Sequence, residues 1–146
     1  MSGHLDVAST GGRPSPAVAG IGIDAVEVER FRDVLARRER LAERLFTPVE
    51  LDRARCRRDP VPSLAARFAA KEAVMKALGV GIGAVDWHDM EVGAAASGAP
   101  QLRLRGRAAA LAAAVGATAW HVSLTHTASM AMATVVVERA GADVPR

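Results

Sequence analysis

One cysteine, no tyrosine, few aromatic residues of any kind and only two lysines stand in 146 residues. The single cysteine, Cys56, excludes an internal disulfide and suits a reducing cytoplasm. No histidine and asparagine pattern accompanies it, so it reads as incidental. With aromatics at 3% of the chain, there is no stacking platform for single-stranded nucleic acid. The core must instead be built from Val, Leu, Ile, Met and Ala, and apolar residues make up 50% of the chain. No apolar run is long enough to span a bilayer. The first residues lack the basic start and apolar stretch of a secretory signal. Neither a helix-turn-helix pattern nor zinc-ligand spacing is recognisable. The length suits one domain, and no internal repeat or linker divides it.

The charge is uneven. The net charge is +3, but arginine crowds one segment: Arg30, Arg32, Arg37, Arg38, Arg40, Arg44, Arg53, Arg55, Arg57 and Arg58. Asp33, Glu39, Glu43, Glu50 and Asp52 oppose them only in part. Such a field attracts an anionic partner, whether nucleic acid, a phosphorylated ligand or an acidic protein. Charge alone favours a plainer reading, a solvated arginine-rich helix face.

Along the chain, residues 1–16 (MSGHLDVASTGGRPSP) are expected to be a disordered leader, and residues 140–146 a frayed tail. AVAGIGID, 17–24, reads as a strand ending at Asp24. Its alternating Gly20 and Gly22 imply close approach of another segment. VEVERFRDVLARRERLAERLF predicts one helix with Val28, Phe31, Leu35, Leu41 and Leu45 on its apolar side. TPVELDRARCRR predicts a short helix opened by Thr47, Pro48 and Glu50, a capping box. After the break at DPVP, a helix runs from about Ser63 to Leu78, with Gly79 placed to end it. A flexible loop follows. Residues 89–94 and 101–105 predict a hairpin, and residues from 106 an Ala-rich helix ending at Gly116. Residues 119–126 and 130–138 predict an antiparallel strand pair. The class is α+β, one domain over residues 17–139.

RFAAKEAVMKALG, within the central helix, holds both lysines. Leu64, Phe68, Met75 and Leu78 make its apolar stripe. Glu72 and Lys76 are four apart, as are Arg67 and Lys71, so each pair shares a face. By spacing alone these are surface features, the Glu72–Lys76 pair contributing about 0.3–0.5 kcal/mol. A second reading starts from Asp24, a carboxylate at the end of a glycine-flanked strand that packing does not explain. A hard cation such as Mg2+ takes few carboxylates, several waters and phosphate oxygens. Asp24 and Glu72 would serve, with Lys76 beside the same phosphates.

GIGIDAVEVERF, LFTPVEL, RFAAKEAVMKALGVGIG, DMEV with GAPQL, and HVSLTHT with AMATVVVE, in this order, resemble the holo-acyl-carrier-protein synthases, a group of 4'-phosphopantetheinyl transferases. The resemblance covers about residues 19–139. It implies an antiparallel or mixed sheet packed against a long helix. It also implies transfer of the 4'-phosphopantetheine arm of coenzyme A to a serine of an apo acyl carrier protein, with release of adenosine 3',5'-bisphosphate. Asp24 and Glu72 match the family's magnesium carboxylates, Lys76 its lysine near the diphosphate, and His126 its histidine near the 3'-phosphate. Arg67, Arg58 and Ser123 are further expected CoA contacts, and His88 and His121 are read as structural. Arg30, Arg37, Arg38 and Arg40 fall on the helix that docks the acidic carrier, with Arg30, Arg37 and Arg40 expected on one face. Family members of this length are usually homotrimers with sites between subunits, and Val135, Val136 and Val137 suit either an oligomer centre or an ordinary core. Some relatives carry Asp after the family histidine, where this chain has Thr127. The base that deprotonates the carrier serine is therefore open among Glu72, a metal-bound water and, more weakly, Asp52. The carrier could serve fatty acid or polyketide synthesis. A nucleic-acid module and a CoA-binding relative without catalysis are the competing readings; the intact Asp24, Glu72 and Lys76 set argues against the second.

Overall fold

Strand β1, Pro16–Glu27, and the 17-residue helix α4, Val61–Ala77, lie against each other and place the site. Gly20 and Gly22 permit this. A Cβ at Gly20 would meet the carbonyl oxygen of Ala77, and one at Gly22 that of Ala73. Two residues along the strand match four back along the helix, so the two elements run antiparallel in close contact. The approach inferred from the glycines is therefore that of α4.

The computed structural model describes residues 15–142. Most of the segment read as a leader, and the last residues of the tail, lie outside that range. Along the chain, β1 is followed by α1 (Val28–Arg37), α2 (Leu41–Leu45), α3 (Pro48–Arg55) and α4. Then come a single 3₁₀ turn (Trp87–Asp89), β2 (Met90–Ala94), β3 (Pro100–Leu104), α5 (Gly106–Ala114), β4 (Ala117–His126) and β5 (Met130–Ala140). One sheet has the order β1-β5-β4 and β2-β3 form a hairpin, with every pairing antiparallel. The class is α+β, as read. The outer ladder reaches from Pro16 to Ala140, one residue into each segment read as terminal. Among the described residues, no helix is long and apolar enough to cross a membrane.

The sheet's inner face packs on α4 through Ala133, Val135 and Val137 of β5 and Trp120, Val122 and Leu124 of β4. A second apolar cluster joins α1, α2, α3 and the first half of α4 through Val28, Phe31, Leu45, Phe46, Leu64 and Ala65. α4 is thus covered on most sides, and residues on nearly every azimuth of it are buried.

Two expectations change here. The single helix over residues 26–46 is broken: α1 ends at Arg37, and Arg40 takes φ 63°, the left-handed region, before α2. A straight helix of that length would extend on the order of 30 Å and carry Leu41 and Leu45 off the core. The turn returns both to the cluster holding Phe31. Strand β1 also does not end at Asp24; it runs three residues further to Glu27, where Val28 N–H donates to Ser129 O and starts α1. The capping box of α3 forms as read, with Glu50 N–H donating to Thr47 and Thr47 N–H to Glu50.

Candidate active site

Asp24 pairs across the ladder with Ala133, whose side chain faces inward, so Asp24 points toward α4. There Lys76 Nζ donates to Asp24 Oδ1 at 3.1 Å and to Ile23 O at 2.9 Å. The glycine contacts two and four residues up the strand, at Gly22 and Gly20, set this register. Lys76 therefore reaches across to the strand, and the helix-surface pair with Glu72 that spacing suggested gives way to a pair with Asp24. Asp24 Oδ2 is buried and has no hydrogen-bond partner.

Glu72 is half-buried beside Asp24. Burial, contact with Asp24 and the charge of Asp24 raise its pKa from an ordinary 4.5 to about 7, with Lys76 pulling the other way. Two carboxylates facing each other, one with an orphaned oxygen, form a site of excess negative charge that a cation or proton must relieve. Among the described residues no three His, Cys, Asp or Glu gather as metal ligands. Two carboxylates without nitrogen or sulfur suit a hard ion that keeps waters and takes phosphate oxygens.

The pair opens onto a cleft of about 530 Å³ lined by Asp24, Glu72 and Arg30 and by apolar Val26, Phe31, Leu45, Phe68 and Trp87. Phe31 stacks on Phe68 at 5.2 Å between ring centres, and Phe68 on Trp87 at 5.3 Å. Three of the few aromatics thus form one wall.

His126 and Arg67 line a separate cavity of about 400 Å³ on the other side of α4, with Ser63, Arg53 and Arg57. Arg67 is buried there, donating to Ser63 Oγ and to Val92 O. Arg58 lines neither cavity; Arg53 and Arg57 of the same arginine run stand where it was expected. Arg57 lies past the end of α3, which closes at Arg55 and not at residue 58 as the sequence suggested, so no helical spacing marked the pair. Ser123 is exposed on the outer sheet face, beside Thr134. His121 pairs with Glu138 at 3.1 Å, and His88 with the carbonyl of Glu43 at 2.7 Å. Arg30 and Arg37 share α1 and are exposed, but Arg40 does not continue their face, because it lies beyond the helix end in the left-handed turn. Arg38 is exposed just past α1.

Lys71 overturns a reading outright. It is fully buried, where spacing made it a surface partner of Arg67. The helix is enclosed on the side where a two-layer pattern would leave it open.

The family model of the 4'-phosphopantetheinyl transferase superfamily matches residues 20–135. The chain belongs to that superfamily. Within it the chain is similar to the holo-[acyl-carrier-protein] synthases. It is 51% identical to that of Frankia alni over 122 residues, 84% of this chain and 98% of the relative. A crystal structure of the synthase from Neisseria meningitidis superposes with a TM-score of 0.77 at 33% identity, covering 84% of this chain and all of that one. The synthase from Bacillus anthracis, solved in complex with CoA (3',5'-ADP), superposes with a TM-score of 0.70 at 34% identity, covering 84% and 97%.

Proposed function

We propose that this chain is a holo-[acyl-carrier-protein] synthase, moving 4'-phosphopantetheine from CoA to a carrier serine and releasing adenosine 3',5'-bisphosphate. The observation that carries the reading is the carboxylate pair Asp24 and Glu72 lining an apolar cleft, with Lys76 donating to Asp24 and Asp24 Oδ2 unpartnered. Asp24 and Glu72 would hold Mg2+, which supplies positive charge to the diphosphate and its departing half. Lys76 is 55% exposed at its side chain and keeps one ammonium proton beyond its two acceptors, so it can turn to a phosphate oxygen without leaving the site. The apolar cleft takes the pantetheine arm and sheds water from it.

Glu72 is the carboxylate taken as base for the carrier serine, since it lines the cleft beside Asp24 and is half-buried there. Asp52 is tied to Arg55 on the exposed face of α3 and lies outside the cleft lining. Thr127 has its own work: its hydroxyl accepts from Ser129 N–H and Met130 N–H and shapes the β4–β5 turn. The cavity of Arg53, Arg57, Arg67 and His126 is the reading's nucleotide-phosphate site.

The homotrimer is part of the proposal. Val18, Ile21, Ile23 and Met132 are exposed on or beside the outer sheet face, more apolar surface than a solvated strand face needs. Of the three valines considered for an oligomer centre, Val135 and Val137 face α4 and only Val136 belongs to this outer face. Packing of that face between copies would bring one subunit's carboxylate pair toward another's basic cavity. The protein acts in the cytoplasm, where its free, exposed Cys56 stays reduced. Intact mass spectrometry of apo acyl carrier protein with this protein, CoA and Mg2+ tests the reaction. A gain of one phosphopantetheine, lost with chelator, is expected; no gain with several carriers would overturn it.

A further inference from the structure

Lys71 precedes Glu72 on α4, and its side chain lies about 100° round the helix from it, turned into the protein. Its ammonium group has three protons and meets three fixed acceptors: Leu45 O at 2.7 Å, Glu50 Oε2 at 2.8 Å and Trp87 O at 3.0 Å. Phe46 lies 5.3 Å below it. Glu50 is also fully buried and accepts from Thr47 N–H and Val92 N–H. One ammonium group thus ties α4 to the last turn of α2, the first turn of α3, the 3₁₀ turn and, through Glu50, to β2.

Two of these segments are walls of the apolar cleft, for Leu45 and Trp87 both line it. Both also line the neighbouring cavity behind it, with Arg38, Arg44 and His88, so they form a thin partition. Neither segment is regular enough to hold itself: α2 has five residues and the turn at Trp87 three. A buried ion pair is a weak source of stability, since apolar side chains of equal volume do as well or better. What the pair can do that leucine cannot is set direction, because its three donors are met by three acceptors fixed on different segments.

We propose that Lys71 is a positioning residue, a clamp that holds the Leu45 and Trp87 walls of the cleft in register with Glu72. The proposal rests on the transferase reading for its kinetic consequence, because the walls matter to catalysis only if the cleft takes the CoA arm.

The test compares Lys71→Met with Val137→Ala, a core truncation in β5 at a residue that does not line the cleft, both assayed well below their melting temperatures. Lys71→Met is expected to raise KM for CoA about tenfold while changing kcat less than about threefold, the pattern of lost uniform binding. Hydrogen exchange should quicken in residues 41–46 and 85–89 and stay unchanged in β1 and β5. Val137→Ala should show neither change. If Lys71→Met does not fold, Lys71→Gln, which keeps a donor at shorter reach, takes its place in the same measurements. An unaltered KM, or exchange no faster at the walls than in Val137→Ala, would overturn the clamp. Should the wild-type protein modify no carrier, the transferase reading fails, and the exchange comparison still decides whether Lys71 holds the walls.

Discussion

Two lysine–carboxylate pairs sit five residues apart on one helix and differ in almost everything but chemistry. Lys71 and Glu50 are 2.8 Å apart with neither side chain exposed; Lys76 and Asp24 are 3.1 Å apart with side chains 55% and 13% exposed. In the inner pair every ammonium proton has a fixed acceptor. Burial pulls the pKa of Lys71 down and Glu50 pulls it back. In the outer pair one lysine proton and one carboxylate oxygen are left over. A saturated pair can only hold structure, whereas a pair with valences to spare can bind something. The difference marks the outer pair as the candidate site more surely than the presence of charge does.

The sharpest way to break the contrast is at the unsaturated end. Glu72→Gln or Asp24→Asn should reduce carrier modification on the order of a thousandfold or more with the fold intact, read by intact mass and circular dichroism together. Unfolding of either variant, or full activity, would show that these carboxylates are structural. Urea denaturation should then separate the two lysines. Lys71→Ala leaves Glu50 buried without its cation and is expected to cost about 3–5 kcal/mol, while Lys76→Ala costs less than about 1 kcal/mol. Equal losses would erase the distinction.

Kinetics reverse that order for Lys76. Lys76→Ala should lower kcat about a hundredfold with a smaller change in CoA binding, as for a group that acts on developing charge; equal loss in both would assign it to binding.

A pH titration reads the crowding of Asp24 and Glu72 directly. The folded protein holds the Glu72 proton up to about pH 7, whereas the unfolded chain releases it near 4.5. The folded state therefore binds more protons between those values, and metal-free stability should fall as pH rises through that window. Burial is the larger cause, so Asp24→Asn should flatten the fall only in part, by removing a like charge, and added Mg2+ should flatten it too. An unchanged slope in Asp24→Asn would mean that burial alone raises the Glu72 pKa. The smallest effect is expected at α1: Arg30→Ala with Arg37→Ala should slow association with the acidic carrier severalfold at low salt and hardly at all at high salt. Slowing that ignores salt would remove the docking role.

Much of this was legible in the chain. Thr47, Pro48 and Glu50 announce a helix start because capping is local chemistry. The strand pair 119–126 and 130–138 shows itself by alternation, and GIGID with RFAAKEAVMKALG carries the family. Lys71 was not legible: a lysine four residues from an arginine has the spacing of a solvated pair, and only enclosure by α2, α3 and β2 makes it a core residue. The break at Arg38–Arg40 was hidden too, because helical spacing of Leu41 and Leu45 persists across it. Arg53 and Arg57 were one arginine pair among many until α4 brought Arg67 and His126 alongside.

What the amino-acid order alone determined is local: periods of two and of 3.6, a capping box, and a glycine pair so small that a helix carbonyl can rest on each. Those glycines foretold a close approach but not the element that makes it. Tertiary structure decided which charges are buried and which remain open, because burial and unpaired valence depend on what arrives from distant parts of the chain. Asp24 and Glu72 are 48 positions apart, and only the packing of β1 on α4 turns two carboxylates into one candidate site.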